Sequence, residues 1–311
     1  MVLIITPNPA LDRTMVFRGL RLGAVQRTDE VLVAAGGKGL NVARAALALG
    51  QPALACAPIG GHTGEQLAAL AAGEGIAGRW HRHAAGETRT CVLLVDPDAD
   101  DATALNEAGP VLSPADWAGF AAVALAAAEG AALCVVSGSL PRGVSPEALG
   151  ELLAALGSAE RRTLVDTSGP GLAAALAARP YGVKVNGAEL GAALGRPVEG
   201  VEGAAAALAE LRARGVELAA VSLGPLGALA VDEGGCWWAA PPPLRIVSSV
   251  GSGDALLAGL CAGLLRGLPL PEALALGVAC GSANALTVGG GRFDAAEQER
   301  IRAGVALRRV A

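Results

Sequence analysis

Apolar positions along the 311-residue chain follow two alternating patterns. Short β-branched or apolar runs, each the length of a buried strand, recur from the second residue almost to the last. Longer Ala/Leu-rich stretches with helical spacing lie between them. The runs predict strands over 2–5, 53–57, 133–136, 163–166, 183–185 and 219–222. The longer stretches predict helices over 38–49, 65–72, 114–128, 146–156 and 204–214. Strands separated by a helical crossover pair in parallel, so the pattern predicts an α/β fold with a mainly parallel central sheet. Beyond Pro241-Pro242-Pro243 the pattern turns helical, over 254–265, 271–286 and 295–305.

Two segments depart from the alternation. Strands over 14–17 and 28–33, and over 88–95 and 102–106, follow one another with no helix between them. The second pair is joined by Asp96-Pro97-Asp98-Ala99-Asp100-Asp101, which is rich in turn formers. Together they predict a small antiparallel sheet inserted at about 14–33 and 88–106 into a single domain spanning 1–311. A lid or a dimerisation face is one use of such a sheet, and a decorated sheet edge is the plainer one.

Composition narrows the function classes. An apolar content of 52% and a mean hydropathy of +0.47 suggest a membrane, but the apolar runs are short and broken by charge. The longest uncharged window, 273–291, contains Ser282, Asn284, Thr287 and several glycines, and predicts a buried helix and loop. The opening MVLIITPNPALD has no basic residue ahead of its apolar run, so it predicts a first core strand and a cytoplasmic protein. A net charge of −5 with 3% aromatic residues provides neither the electrostatic footprint nor the stacking platform of a nucleic-acid binder. The six cysteines form no CxxC pair and predict buried, reduced thiols. His81 and His83 share a strand face without a third ligand nearby in sequence, which predicts a solvated edge strand and no metal site. Among 24 basic residues only Lys38 and Lys184 are lysine. A compact ammonium is chemically distinct from a guanidinium, so the surroundings of these two positions matter.

The sharpest chemical signal is Val250-Gly251-Ser252-Gly253-Asp254, immediately ahead of a helical run. Glycines at a helix entrance let successive N–H groups converge on an anion, and the helix terminus adds partial positive charge. A carboxylate there is placed to accept the proton of an attacking hydroxyl in phosphoryl transfer. The same residues also suit an ordinary helix cap. Gly36-Gly37-Lys38-Gly39-Leu40-Asn41 opens a second helix. It lacks the Ser or Thr that follows the lysine of a P-loop, and no GxGxxG follows the first strand. It suits either close approach to a polyhydroxy or phosphorylated ligand or a flexible turn. Asp12, past the end of the first strand, is placed to accept hydrogen bonds from two sugar hydroxyls, unless it merely organises a proline turn with Asn8. Ser137 and Ser139 lie at another strand end, as do Lys184, Asn186 and Glu189, a set that could hold nucleotide phosphates and a hydrated Mg²⁺. Ser222, Gly224 and Gly227 make a further glycine turn.

The order of these motifs resembles that of the PfkB group of ribokinase-fold sugar kinases, in particular its phosphosugar kinases. The resemblance runs from Thr6 to about Gly291 and rests on TPNPALD, GGKGLNVA, GHTGE, ETRT, NEAGP, SGSLPRGVSPEAL, VDTSG, KVNGAEL, VSLGPLGAL and VGSGDALLAGL. It implies a ribokinase-like three-layer sandwich with a β lid, and ATP-dependent, Mg²⁺-assisted phosphorylation of a sugar phosphate. Fructose 1-phosphate is the leading acceptor, with fructose 6-phosphate and tagatose 6-phosphate as alternatives. It implies Asp254 as base and Gly251, Ser252 and Gly253 as anion hole. Asp12, Gly37, Lys38 and Asn41 would hold the sugar. Arg89 with Ser137 or Ser139 would reach its phosphate, joined by Arg27 from the lid of a partner subunit. Lys184, Asn186, Ser222, Gly224 and Gly227 would fall on the nucleotide side, with Glu189 meeting the metal through water. It further implies a homodimer formed through the lid, where Val31, Val33, Val92 and Leu94 offer apolar faces.

Two positions depart from the group's usual pattern. Val185 stands where it carries proline, leaving φ unfixed, and Ser252 stands where it carries alanine. The intact Asp254 favours an enzyme over a sugar- and nucleotide-binding sensor that kept the fold and lost the chemistry.

Overall fold

The computed structural model describes residues 1–98, 101–157 and 161–310. The chain runs β1 (Val2–Ile5), β2 (Ala10–Val16), β3 (Val31–Gly36), α1 (Lys38–Ala48), β4 (Ala53–Ile59), α2 (Gly61–Gly73) and β5 (Ala77–Arg82). It continues through β6 (Thr90–Asp96), β7 (Asp101–Asn106), α3 (Pro114–Ala128), β8 (Leu133–Ser137), α4 (Pro146–Leu156), β9 (Arg162–Asp166) and α5 (Gly169–Ala178). Then follow β10 (Gly182–Asn186), α6 (Gly187–Leu194), α7 (Gly200–Ala213), β11 (Leu218–Ser222), β12 (Ala228–Asp232) and β13 (Gly235–Ala240). The last elements are α8 (Ser252–Leu265), α9 (Leu270–Asn284), α10 (Ala295–Ala303) and β14 (Ala306–Arg309).

Ten strands form one sheet in the order β14-β13-β12-β11-β10-β9-β8-β1-β4-β5. Pairing is parallel from β11 through β5 and antiparallel among β11, β12, β13 and β14. The central strands are apolar on both faces because helices cover both. Val2 and Ile4 of β1 pack with Leu40 of α1, Leu67 of α2, Leu257 of α8 and Leu274 of α9. Leu3 and Ile5 pack on the other side with Phe120 of α3, Leu149 of α4, Leu172 of α5, Leu190 of α6 and Leu208 of α7. This alternation of single side chains between two cores makes the three-layer sandwich. The uncharged 273–291 window is α9 with the loop after it, and α9 is buried. Among the described residues no helix is long and apolar enough to cross a membrane.

The small sheet runs β3-β2-β6-β7. Both expected antiparallel pairs are present, β2 with β3 and β6 with β7. They are joined side by side through a parallel pairing of β2 with β6. β2 and β3 reach further toward the large sheet than the expected 14–17 and 28–33, so Asp12 and Gly36 belong to the lid strands. Ala99 and Asp100 of the expected turn lie outside the described residues. β5 is an edge strand, as expected for His81. His83, just beyond it, is buried, and burial lowers its pKa. All six cysteines are free; five are buried and Cys91 is half-buried.

Candidate active site

Parallel strands bring their carboxyl ends to one edge of the sheet, where ligands of open α/β sheets lie. Asp166 ends β9, and Lys184 occupies the adjacent position of β10 on the face that carries α1. Lys38 is the first residue of α1. The Lys184 ammonium donates to Asp166 Oδ2 at 2.8 Å, and the Lys38 ammonium donates to Asp166 Oδ1 at 2.9 Å and to Glu189 Oε1 at 3.3 Å. Asp166 is fully buried. Burial alone would raise its pKa, but the two ammonium groups outweigh it and hold the carboxyl below its usual range. Burial pulls Lys38 down, and Asp166 with Glu189 more than compensates, so its pKa lies above the usual lysine value.

Across from these lysines, Asp254 stands in the first turn of α8 and is 6% exposed. Gly251 caps that helix at φ 81°, and a Cβ there would lie 2.4 Å from Gly290 Cα. Only glycine satisfies both the left-handed backbone and the close approach. The turn is pinned by Asn284, whose Nδ2 donates to Val250 O at 2.9 Å and whose Oδ1 accepts the Arg292 N–H at 3.1 Å. Asp254 Oδ2 accepts from Asn41 Nδ2 at 2.9 Å. Its pKa is pushed up to about 7, first by burial and then by the charge of Asp166, against Lys184, Asn41 and Lys38. A carboxylate of this kind is half-charged near neutrality, the range suited to a general base.

The small sheet forms one wall of the cleft through alternate residues of its strands, including Asp12, Leu32, Leu93 and Ala104. Asp12 has a pKa raised to about 6 by burial, opposed by the Gly37 N–H, Arg44 and Arg89. Arg89 donates to the carbonyls of Asn8 at 3.1 Å and Pro9 at 3.3 Å. Asn8 Nδ2 reaches Ser139 Oγ at 3.1 Å. On the opposite side Asn186 and Glu189 form a reciprocal capping box at the start of α6. This box and the parallel pairing of Val185 with Val221 anchor the strand end where the group carries proline.

The cleft that joins these groups encloses about 1100 Å³. Asp12, Gly37, Lys38, Asn41, Arg89, Ser139, Lys184, Asn186, Glu189, Ser222, Gly224, Gly227 and the Gly251-Ser252-Gly253-Asp254 turn all line it. Two expected residues do not. Ser137 is fully buried at the end of β8, and Arg27 is exposed on the connection between β2 and β3, outside the cleft of its own chain. Asp166 and Arg44 were missed as site residues. Asp166 had a signal in VDTSG, a carboxylate at a strand end, whereas Arg44 reads as one more arginine on a helix. The wall formed by Pro241, Pro242, Pro243 and Ile246 was also missed, because a proline run carries no chemistry of its own.

A glycine turn at a helix start, a buried carboxylate in its first turn and a small sheet over the strand ends meet in one cleft of a ribokinase-like fold, the arrangement a kinase of small alcohols requires. The pfkB family carbohydrate kinase model matches residues 6–296, and the chain belongs to that family. It is 40% identical over 273 residues to the 1-phosphofructokinase of Rhodobacter capsulatus, an alignment covering 88% of this chain and 86% of that one. It is also 40% identical over 265 residues to the 1-phosphofructokinase of Xanthomonas campestris pv. campestris, covering 84% and 83%. Among solved structures, the phosphofructokinase-2 from Escherichia coli in complex with potassium matches with a TM-score of 0.89 at 31% identity, covering 97% of this chain and 98% of that one.

Proposed function

We propose that the protein transfers the γ-phosphoryl group of ATP to a free hydroxyl of fructose 1-phosphate, with Asp254 as general base. The buried Asp254 behind the Gly251-Ser252-Gly253 turn carries this reading, and the 1-phosphofructokinase relatives select the acceptor. In the reaction the acceptor O–H passes its proton to Asp254 while its oxygen forms a bond to the γ-phosphorus. The bond from that phosphorus to the bridging oxygen breaks, and ADP leaves. Backbone N–H groups of the turn and the Lys184 ammonium face the charge that spreads over the transferring group.

Asp12 and Asn41 hold the sugar hydroxyls, and Arg89 with Ser139 receives its phosphate. The burial of Ser137 supports Ser139 as the contact. Asn186, Ser222, Gly224 and Gly227 lie on the nucleotide side. Among the described residues there is no cluster of three metal-ligating side chains, and Glu189 already accepts from Lys38 and the Asn186 N–H. Such a donor set fits Mg²⁺ held mainly by the nucleotide, with Glu189 reached through water. Bound there, Mg²⁺ neutralises polyphosphate charge. Phosphorylated substrates and six free thiols suit the cytoplasm.

Purified protein assayed with ATP-Mg²⁺ and fructose 1-phosphate, fructose 6-phosphate or tagatose 6-phosphate is expected to show its highest kcat/KM with the first. A higher kcat/KM for another acceptor overturns the acceptor assignment, and turnover of none overturns the whole reading.

A further inference from the structure

Arg44 lies on α1, one turn beyond Asn41, and is 8% exposed. Its guanidinium uses four acceptors. Nε donates to Glu74 Oε2 at 2.5 Å, one terminal nitrogen donates to Asn41 Oδ1 at 3.0 Å and to Gly290 O at 2.8 Å, and the other donates to Ala35 O at 2.5 Å. An amide offers a carbonyl on one side and an NH₂ on the other. With Asn41 Oδ1 taken by Arg44, the NH₂ is what Asn41 presents to Asp254. The flipped amide would set its carbonyl against the Asp254 carboxylate and its NH₂ against a cation, which is unfavourable at both ends.

The same guanidinium reaches the catalytic turn by a second route. Gly290, whose carbonyl it holds, occupies the space beside Gly251. Glu74, which neutralises Arg44, also accepts from Arg292 at 2.7 Å. The Arg292 backbone N–H in turn anchors Asn284 and thereby the Val250 carbonyl.

We propose that Arg44 is a positioning residue for the phosphoryl-transfer step, fixing the Asn41 amide so that it donates to Asp254 and clamping Gly290 against Gly251. The proposal rests on the assignment of Asp254 as base. Arg44 touches no reacting atom in this scheme. Its fork of donors is what matters, and a lysine cannot reproduce it.

The test compares Arg44→Met and Arg44→Lys in the wild-type and Asn41→Ala backgrounds, with folding checked by circular dichroism. Arg44→Lys keeps a cation beside Glu74 and decides the question if Arg44→Met does not fold. Losing a hydrogen bond to a charged group corresponds to about a tenfold fall in kcat or more, with KM for either substrate changing less. The acid limb of the kcat profile is expected to move to higher pH, because Asp254 loses a donor while still facing Asp166, Lys184 and Lys38. If Arg44 acts through Asn41, its replacement in the Asn41→Ala background lowers kcat by no more than about twofold further. Wild-type kcat with an unmoved limb in a folded variant overturns the proposal, and full additivity with Asn41→Ala overturns the route through Asn41. Asp254→Asn assayed alongside separates the two readings: near-normal turnover there removes the base assignment itself, whereas an inactive Asp254→Asn with normal Arg44 variants removes the role of Arg44 alone.

Discussion

Lys38 and Lys184, the two lysines of the chain, place their ammonium groups on opposite oxygens of one buried carboxylate, Asp166, at 2.9 Å and 2.8 Å. One residue starts a helix and the other lies in the middle of a strand, 146 positions later in a chain that otherwise uses arginine for its basic residues. Each ammonium is a compact point charge, and one binds each oxygen of this carboxylate between α1 and the sheet. Asp166 thus ties the glycine turn before α1 to strand β10.

Replacing Asp166 by Asn leaves those cations without their shared partner. The expected loss is about 3–5 kcal/mol of stability at neutral pH, measured by urea denaturation, the range for breaking a buried pair. The folded pKa of Asp166 is depressed. Its contribution is therefore present above the unfolded carboxylate range and lost as pH falls through the lower folded value, so variant and wild type converge in acid. Without the Asp166 charge, which helps to raise the Asp254 pKa, the acid limb of activity should move to lower pH. An unchanged urea midpoint at pH 7.5 would count against the bridge.

Asp254→Asn is expected to lower kcat by at least about 10²-fold while leaving nucleotide affinity nearly intact. In the wild type, kcat/KM should fall as pH drops below about 7, where Asp254 gains a proton. Stability runs the other way. The folded pKa lies above the ordinary 3.8, so the stabilising proton is held at low pH and lost as pH rises through about 7. At pH 8 the asparagine variant should therefore be the more stable by a few kcal/mol, on the order of the shift itself, and the gain should vanish toward pH 4. Equal stability at pH 8 would show that burial does not burden this carboxylate.

The outer face of the lid carries apolar side chains on all four strands, interrupted by Arg13. Val33 pairs with Arg13, Arg13 with Val92 and Val92 with Leu105; one step along, Val31 pairs with Met15 and Met15 with Leu94. Val31 is 38% exposed and Leu105 is 53% exposed. A homodimer through this face is expected, and Val31→Asp combined with Leu105→Asp should return the light-scattering mass to that of one 30.6 kDa chain. A wild-type mass already at that value excludes a stable dimer.

Elements rich in apolar residues were legible before the structure: the central parallel strands, α1, α3, α4, α8 and α9 all lie within a few residues of expectation. β14 was not, because Ala306-Leu307-Arg308-Arg309 is exposed throughout and offers no buried alternation. It is held at the sheet edge by pairing with β13 and by Arg308 and Arg309 lying over Trp238 and Trp237. α6 was hidden because its eight residues follow a strand without a break, and the reciprocal bonds of Asn186 and Glu189 that start it read equally as ligand groups. In the site, glycine turns announced themselves through local spacing. Arg44 did not, and the VDTSG carboxylate Asp166 did so only weakly, since their importance lies in partners brought from distant parts of the chain.

The first hairpin of the lid is threaded through the cleft rather than hung beside it. The chain leaves β1, lays down Asp12 on β2, returns along β3 to Gly36 directly against that carboxylate, and enters α1 at Lys38. The first half of the cover and the entrance to α1 are consequently one continuous segment. A graft of this hairpin from another kinase would bring a new setting for Asp12 and a new approach to Lys38 together.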